Sequence, residues 1–256
     1  MTPIAEILAA RTPLEMGFET SIPADWLQGR TAYGGLSAAI ALQAALELEP
    51  DLPPLRSAQV AFIGPLAGRV RITATRLRRG RNAAFLQADV TSDAGLGLRA
   101  TFVFMAALPS AIVHDEAPRG AVTPPAADAE LYTGPGNFFT GNFNFLDPKL
   151  ALAPAEWLRW VRLRDRNELH PMVELMAIGD ALPPGAFKLA KPNTPLSSLN
   201  WQINFLDAEP ATQDGWWLLH ARADSARAGY SSQRMTIWNA AGAPVAEAMQ
   251  GVAIFG

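Results

Sequence analysis

Leu36-Ser37-Ala38-Ala39-Ile40-Ala41-Leu42-Gln43-Ala44-Ala45-Leu46-Glu47-Leu48 is closed by Pro50, Pro53 and Pro54 and followed by four short runs of strand character. That order decides the fold. The Ala- and Leu-rich run is strongly helical by propensity, and the prolines break it. Its apolar residues surround the whole helix, which fits a helix wrapped by other elements better than one lying on a surface. The strand-like runs cover 57–63, 69–78, 83–92 and 98–106. In the second, Val70, Ile72 and Ala74 alternate with Arg69, Arg71, Thr73 and Thr75, the period of a half-buried strand. Turn residues separate the runs: Gly64-Pro65 with Gly68, Arg79-Gly80-Arg81, and Asp93-Ala94-Gly95. The expectation is one helix followed by an antiparallel meander.

Upstream, Thr2-Pro3 reads as a capped helix start, with a strand over 14–22 and a loop over 25–35. Downstream, 107–127 is rich in Pro and Ala without apolar period and reads as a crossing linker. The Phe-, Asn- and Gly-rich stretch 137–145 fits no element. Then the first pattern returns: a strand over 157–163, a helix over 172–181 closed by Pro183-Pro184-Gly185, and strands over 197–206, 216–226, 231–238 and 245–255. Gly80 matches Gly229, and Gly95 matches Gly242, in equivalent turns. A repeat of this length is a duplicated domain rather than a solenoid. The predicted class is α+β, in two halves at 1–106 and 137–256 joined by a linker at 107–136.

Composition sets limits on function. With 256 residues, 49% hydrophobic and 18% charged, the chain can bury a large core. Lys and Arg number 21 against 24 Asp and Glu, so nothing points to nucleic acid as a partner. Cysteine is absent, which excludes disulfides, thiolate catalysis and Cys-based zinc sites. The histidines His114, His170 and His220 are scattered, so no metal is expected. The first eleven residues lack the basic start and apolar core of a signal peptide, and the apolar stretch 36–46 is too short for a bilayer, which needs roughly 20 residues. The expected location is the cytoplasm, with no membrane contact. Sheet edges make a homodimer plausible.

Tyr33-Gly34-Gly35 opening an Ala-rich helix resembles the start of the central helix in hotdog thioesterases. The segment from Arg56 to Phe62, the phrase Arg76-Leu77-Arg78-Arg79-Gly80-Arg81, and the tail Val245-Ala246-Glu247-Ala248-Met249-Gln250-Gly251 are similar to the bacterial acyl-CoA thioesterase II family. The resemblance covers most of the chain and fades in the linker. It implies two tandem hotdog halves, each a central helix wrapped by an antiparallel sheet. It also implies an acyl-CoA substrate, hydrolysis by a side-chain-activated water, and no cofactor. The water would be held by an Asp, a Thr and a Gln from the second half. Asp180 matches the Asp and Gln250 the Gln, while the Thr position falls on Ser198, which keeps the hydroxyl.

Read from the residues alone, Asp180 is the sole acid in an apolar helix tail, either a general base or a cap of the Pro183-Pro184-Gly185 turn. Gln250 reads locally as a solvent-facing strand residue, and strand serines such as Ser198 are common. Backbone N–H groups at a helix start are free and sit at the positive end of its dipole, and glycine admits a ligand to the backbone. Tyr33, Gly34 and Gly35 are therefore the expected oxyanion and substrate group, with the Gly35 amide meeting Asp180 between the halves. The alternative is that these glycines only make the turn. Arg78, Arg79 and Arg81 are candidates for the phosphates of coenzyme A, against the plainer reading of a solvated turn. Trp26, Tyr33, Phe138, Phe139 and Phe143 are candidates to line an acyl tunnel, or plain core.

Two rivals stand beside this reading. Gly35-Leu36-Ser37-Ala38-Ala39 resembles a nucleophile elbow with Ala in its last place, but 29–33 is not the hydrophobic strand such an elbow needs. A non-catalytic acyl-binding protein of the same fold is the other, made credible by Ser198.

Overall fold

A computed structural model describes residues 1–166, 168–192 and 194–255. The elements run α1 (Ile4–Ala9), β1 (Thr12–Leu14), β2 (Gly17–Ile22), the two-residue strands β3 (Leu27–Gln28) and β4 (Thr31–Ala32), then α2 (Gly34–Leu48). The strands β5 (Leu55–Phe62), β6 (Gly68–Arg79), β7 (Ala83–Ser92) and β8 (Gly95–Met105) complete the first half. The second half holds β9 (Phe143–Leu146), β10 (Glu156–Leu163), α3 (Pro171–Gly179), β11 (Leu196–Phe205), β12 (Trp217–Arg227), β13 (Tyr230–Asn239) and β14 (Pro244–Ile254).

Among the described residues, twelve strands form one antiparallel sheet in the order β1-β2-β6-β7-β8-β5-β11-β14-β13-β12-β10-β9. The two halves have the same topology, mirrored in the strand order about the β5–β11 pair. There Gln59 lies opposite Gln202, flanked by Ala58 opposite Ile203 and Val60 opposite Trp201. The architecture is α+β with two hotdog halves, as the sequence leads one to expect. Each half wraps its own helix. Leu36 and the run from Ala38 to Leu42 have no exposed surface, and neither do Val173 and the run from Leu175 to Ile178 on α3. Alanine dominates α2 because the curved sheet closes on it from several sides, and small side chains allow that approach.

The structure corrects several local readings. The four strands after α2 are not a sequential meander: β6, β7 and β8 are, but β5 pairs with β8 on one side and β11 on the other. Propensity cannot foresee that placement, because it is set by pairing with the other half. Thr2 does not cap α1. Pro3 holds the N-cap position, and the Thr2 amide donates to Asp25 at 2.6 Å. The expected strand over 14–22 is the hairpin β1–β2, turning at Glu15-Met16. The stretch 137–145 folds as a tight helical turn over Phe139–Asn142 leading into β9. The second central helix ends at Gly179, with Asp180 as its C-cap.

The linker is mostly exposed, yet it is pinned to the outer face of the second half. There Trp160, Trp216, Leu218 and Trp238 form a small satellite core, covered by Val122 and Leu131. Trp238 Nε1 donates to Pro118 O, and the Gly120 amide donates to Gly242 O at 2.9 Å. Gly242 is required twice over: its φ is +73°, and a Cβ there would lie 2.3 Å from Gly120 O. We expect Gly242→Ala to lower stability by about 1–3 kcal/mol in urea denaturation and to change the tryptophan fluorescence of the native state. Wild-type values for both would show that the linker contact carries no weight.

Candidate active site

The chemistry-bearing residues converge where α2 begins and α3 ends. α2 starts at Gly34 in the first half, and its first N–H groups have no partner within the helix. α3 ends against it, with Tyr33 OH donating to Ala177 O at 2.7 Å. Burial keeps the Tyr33 phenol protonated, and the neighbouring Asp180 adds to that effect.

Asp180 follows directly. Its side chain does not cap the Pro183-Pro184-Gly185 turn. Instead it accepts a hydrogen bond at 2.8 Å from Gln250 Nε2, and the nearby Gly35 amide favours its ionised form. Neither glycine could be larger. A Cβ at Gly34 would lie 2.6 Å from Asp180 Oδ2, and one at Gly35 would lie 2.6 Å from Ala177 O. The Asp180 carboxylate opens on a cavity, but dense protein surrounds it on the other sides. Burial therefore pushes its pKa up to about 7, while the bond from Gln250 and the Gly35 amide pull the other way.

Gln250 is buried, at 3% exposure, on the inner face of β14 between Ala248 and Val252. The local expectation of a solvent-facing residue is thus corrected: residue 250 has the inward parity of its strand. Its Oε1 accepts a hydrogen bond from Gln233 Nε2, and Gln233 Oε1 accepts one from the Gly185 amide at 2.8 Å. Gln233 was not foreseen. The available signal was a polar residue in step with the inward positions Ser231, Met235 and Ile237 of β13.

The cavity has a volume of about 640 Å³. Gly34, Ser37, Asp180, Ser198 and Gln250 all line it, whereas Tyr33 and Gly35, expected beside Gly34 as substrate-binding groups, do not. Ser198 lies just before a bulge in β11, opposite the buried Val252, on the cavity side. No hydrogen bond joins its hydroxyl to Asp180 or Gln250 among the described residues. Phe62, Leu66, Leu98, Phe138, Phe139 and Phe187 supply apolar wall. Phe138 and Phe139 thus line the space, whereas Trp26 and Phe143 are core that packs on Tyr33.

Arg78, Arg79 and Arg81 are not part of this group. They sit at the β6–β7 hairpin, where Arg79 donates to Asp51 O beyond the C-terminal end of α2. The cavity is at the other end of that helix, and fifteen residues at about 1.5 Å each separate the two. Among the described residues the one arginine in the cavity wall is Arg159, paired with Asp147 and packed against Tyr132, Phe145 and Trp157.

Ser37, the centre of the elbow-like sequence, is in the first turn of α2 and 2% exposed, and its Oγ donates to Tyr33 O at 3.1 Å. No histidine lines the cavity among the described residues: His170 accepts from the Met172 amide, and His220 pairs with Glu156. A serine–histidine arrangement is therefore missing there. No described cluster of acidic and imidazole groups is suited to a metal ion, and no described helix is long and apolar enough to cross a membrane.

The profile of the acyl-CoA thioesterase N-terminal domain matches residues 22–105, and that of the acyl-CoA thioesterase C-terminal domain matches residues 114–254. The chain belongs to the acyl-CoA thioesterase family. No curated protein sequence matches it. Among solved structures it is similar to a conserved hotdog-fold protein of unknown function from Alicyclobacillus acidocaldarius, at 22% identity and a TM-score of 0.84, covering 100% of this chain and 99% of that one. It is also similar to the acyl-CoA thioesterase II TesB2 of Mycobacterium marinum, at 20% identity and 0.78, covering 98% of each chain. The tesB protein of Mycobacterium avium subspecies paratuberculosis matches at 17% and 0.79 over 100% of both. At these identities the likeness establishes the shared double-hotdog fold.

The raised pKa of Asp180 has a consequence for stability. Between its ordinary value of 3.8 and about 7 the folded chain holds a proton that the unfolded chain has released, so this group makes stability fall as pH rises through that window. Asp180→Asn should be more stable than wild type at pH 8, on the order of 1 kcal/mol or more, and the difference should vanish near pH 4. Urea denaturation at several pH values measures it; a difference independent of pH would refute the assignment.

Proposed function

We propose that this family member is a cytoplasmic hydrolase of fatty acyl-CoA thioesters, with Asp180 as general base toward water. The observation that carries the reading is the Asp180 carboxylate opening on a partly apolar cavity and bonded by Gln250 Nε2 at 2.8 Å, where burial pushes its pKa up to about 7. A base poised near neutral pH combines a useful ionised fraction with a useful driving force for proton transfer.

The steps balance without a cofactor. Asp180 takes a proton from water as the water oxygen attacks the thioester carbonyl carbon. The carbonyl oxygen takes the charge beside the positive end of α2, where Gly34 lines the cavity. The C–S bond then breaks, and the proton on Asp180 passes to the departing thiolate. The products are a carboxylic acid and free coenzyme A. Gln250 and Ser198 position the water, the first through its bond to Asp180 and the second through a hydroxyl in the same cavity wall. Phe62, Leu66 and Leu98 suit an acyl chain.

The test is thiol release from acyl-CoAs of graded chain length. Wild type should release thiol and carboxylate in equal amounts, and kcat/KM should fall on the acid side with a midpoint near 7. Asp180→Asn should lose at least about 10²-fold in kcat, while Ser37→Ala should keep the wild-type rate. Binding without thiol release would replace the enzyme with an acyl-binding protein. An active Asp180→Asn would remove the base, and an inactive but folded Ser37→Ala would revive the serine hydrolase.

A further inference from the structure

We infer that Gln233 is a positioning residue: it dictates which end of the Gln250 carboxamide faces Asp180. The inference rests on reading Asp180 as the base. A carboxamide has nearly the same shape either way round, so sterics alone leave its orientation open. An ionised Asp180 accepts hydrogen bonds and offers none. With the amide nitrogen toward it, Gln250 stabilises the carboxylate. With the amide reversed, an oxygen would sit at hydrogen-bond distance from a carboxylate oxygen and disfavour its ionisation.

The direction is set by a backbone group. The Gly185 N–H can only donate, and it fills Gln233 Oε1 at 2.8 Å. Gln233 must then present its nitrogen to Gln250, which takes that bond on Oε1 and turns its own nitrogen to Asp180. Polarity thus runs one way along Gly185, Gln233, Gln250 and Asp180. Both carboxamides are almost fully buried, at 1% and 3%, so reversing either would leave a buried donor facing a donor.

The origin of the chain is well fixed. A Cβ at Gly185 would lie 2.4 Å from Ala155 O and 2.6 Å from Ala223 N, and those two groups are hydrogen-bonded to each other at 3.0 Å. Few other ionisable groups bear on Asp180. From the N-cap of α2 there is the Tyr33 phenol, held protonated and bonded to Ala177 O. From β10 there is Arg159, in the cavity wall and paired with Asp147. On α3 itself, Glu174 pairs with Arg166 at 3.8 Å.

Gln233→Met keeps the volume and removes both the donor and the acceptor. Its kcat should fall by about tenfold with KM little changed, and the acid limb of kcat/KM should move to higher pH. A residue with a merely structural role would lower the melting temperature and leave that limb in place. Gln233→Glu is the conservative rescue: protonated, it can still accept from Gly185 and donate to Gln250, and ionised it cannot. Its activity should approach wild type at the acid end of the range and fall as pH rises. The carboxyl resonance of Asp180 reads the same effect without turnover and should titrate at higher pH in Gln233→Met than in wild type. If wild type releases no thiol, the hydrolase reading fails, and the Asp180 titration still decides the role of Gln233. An unshifted titration and acid limb in folded Gln233→Met would overturn the inference, as would a Gln233→Glu profile parallel to wild type should Gln233→Met fail to fold.

Discussion

A carboxylate at the C-terminal end of its own helix stands where that helix is most negative. Asp180 occupies that place, is crowded by protein, and opens only on a cavity. It is tolerable because a second helix end arrives from the other half of the chain with unspent N–H groups. The meeting of α2 and α3 demands much of the residues nearby: no side chain at Gly34 or Gly35, a hydroxyl at Tyr33 to reach Ala177 O, and a carboxamide at Gln250. The β5–β11 pairing holds the two halves in the register that lets this happen. Contacts that join the halves are thus the same contacts that raise and hold the carboxyl group, and neither half contains the site alone.

Much of this was legible in the sequence, for identifiable reasons. The wrapped helices and the long strands could be read because apolar period and turn residues are local signals. The resemblance to thioesterases, not periodicity, singled out Asp180, Ser198 and Gln250, and the dipole argument placed Gly35 opposite Asp180. What escaped was non-local. The position of β5 between β8 and β11 depends on a partner strand about 140 residues away, which no local pattern encodes. The inward parity of Gln250 and Gln233 follows from register, and a register error of one residue reverses the face of every side chain. The Arg78–Arg81 turn was conspicuous by charge but lies at the wrong end of α2 to meet the cavity.

The linker shows how a segment without regular structure can still be specified. Its proline-rich composition gives no periodic signal, yet it covers tryptophans on the outer face of the sheet and is hydrogen-bonded at Pro118 and Gly120. An outer sheet face bearing Trp160, Trp216 and Trp238 would otherwise be a large exposed apolar patch.

The register at the β5–β11 pair has a last implication. The pseudo-twofold that exchanges Gln59 with Gln202 carries Ala58 onto Trp201, and their neighbours in the next strands are Phe102 and Gln250. Where the second half holds a carboxamide, the first half holds a phenyl ring with no exposed surface. Two identical halves meeting this way would carry two equivalent pockets. In this chain the two related positions differ, apolar at Phe102 in the first half and polar at Gln250 in the second.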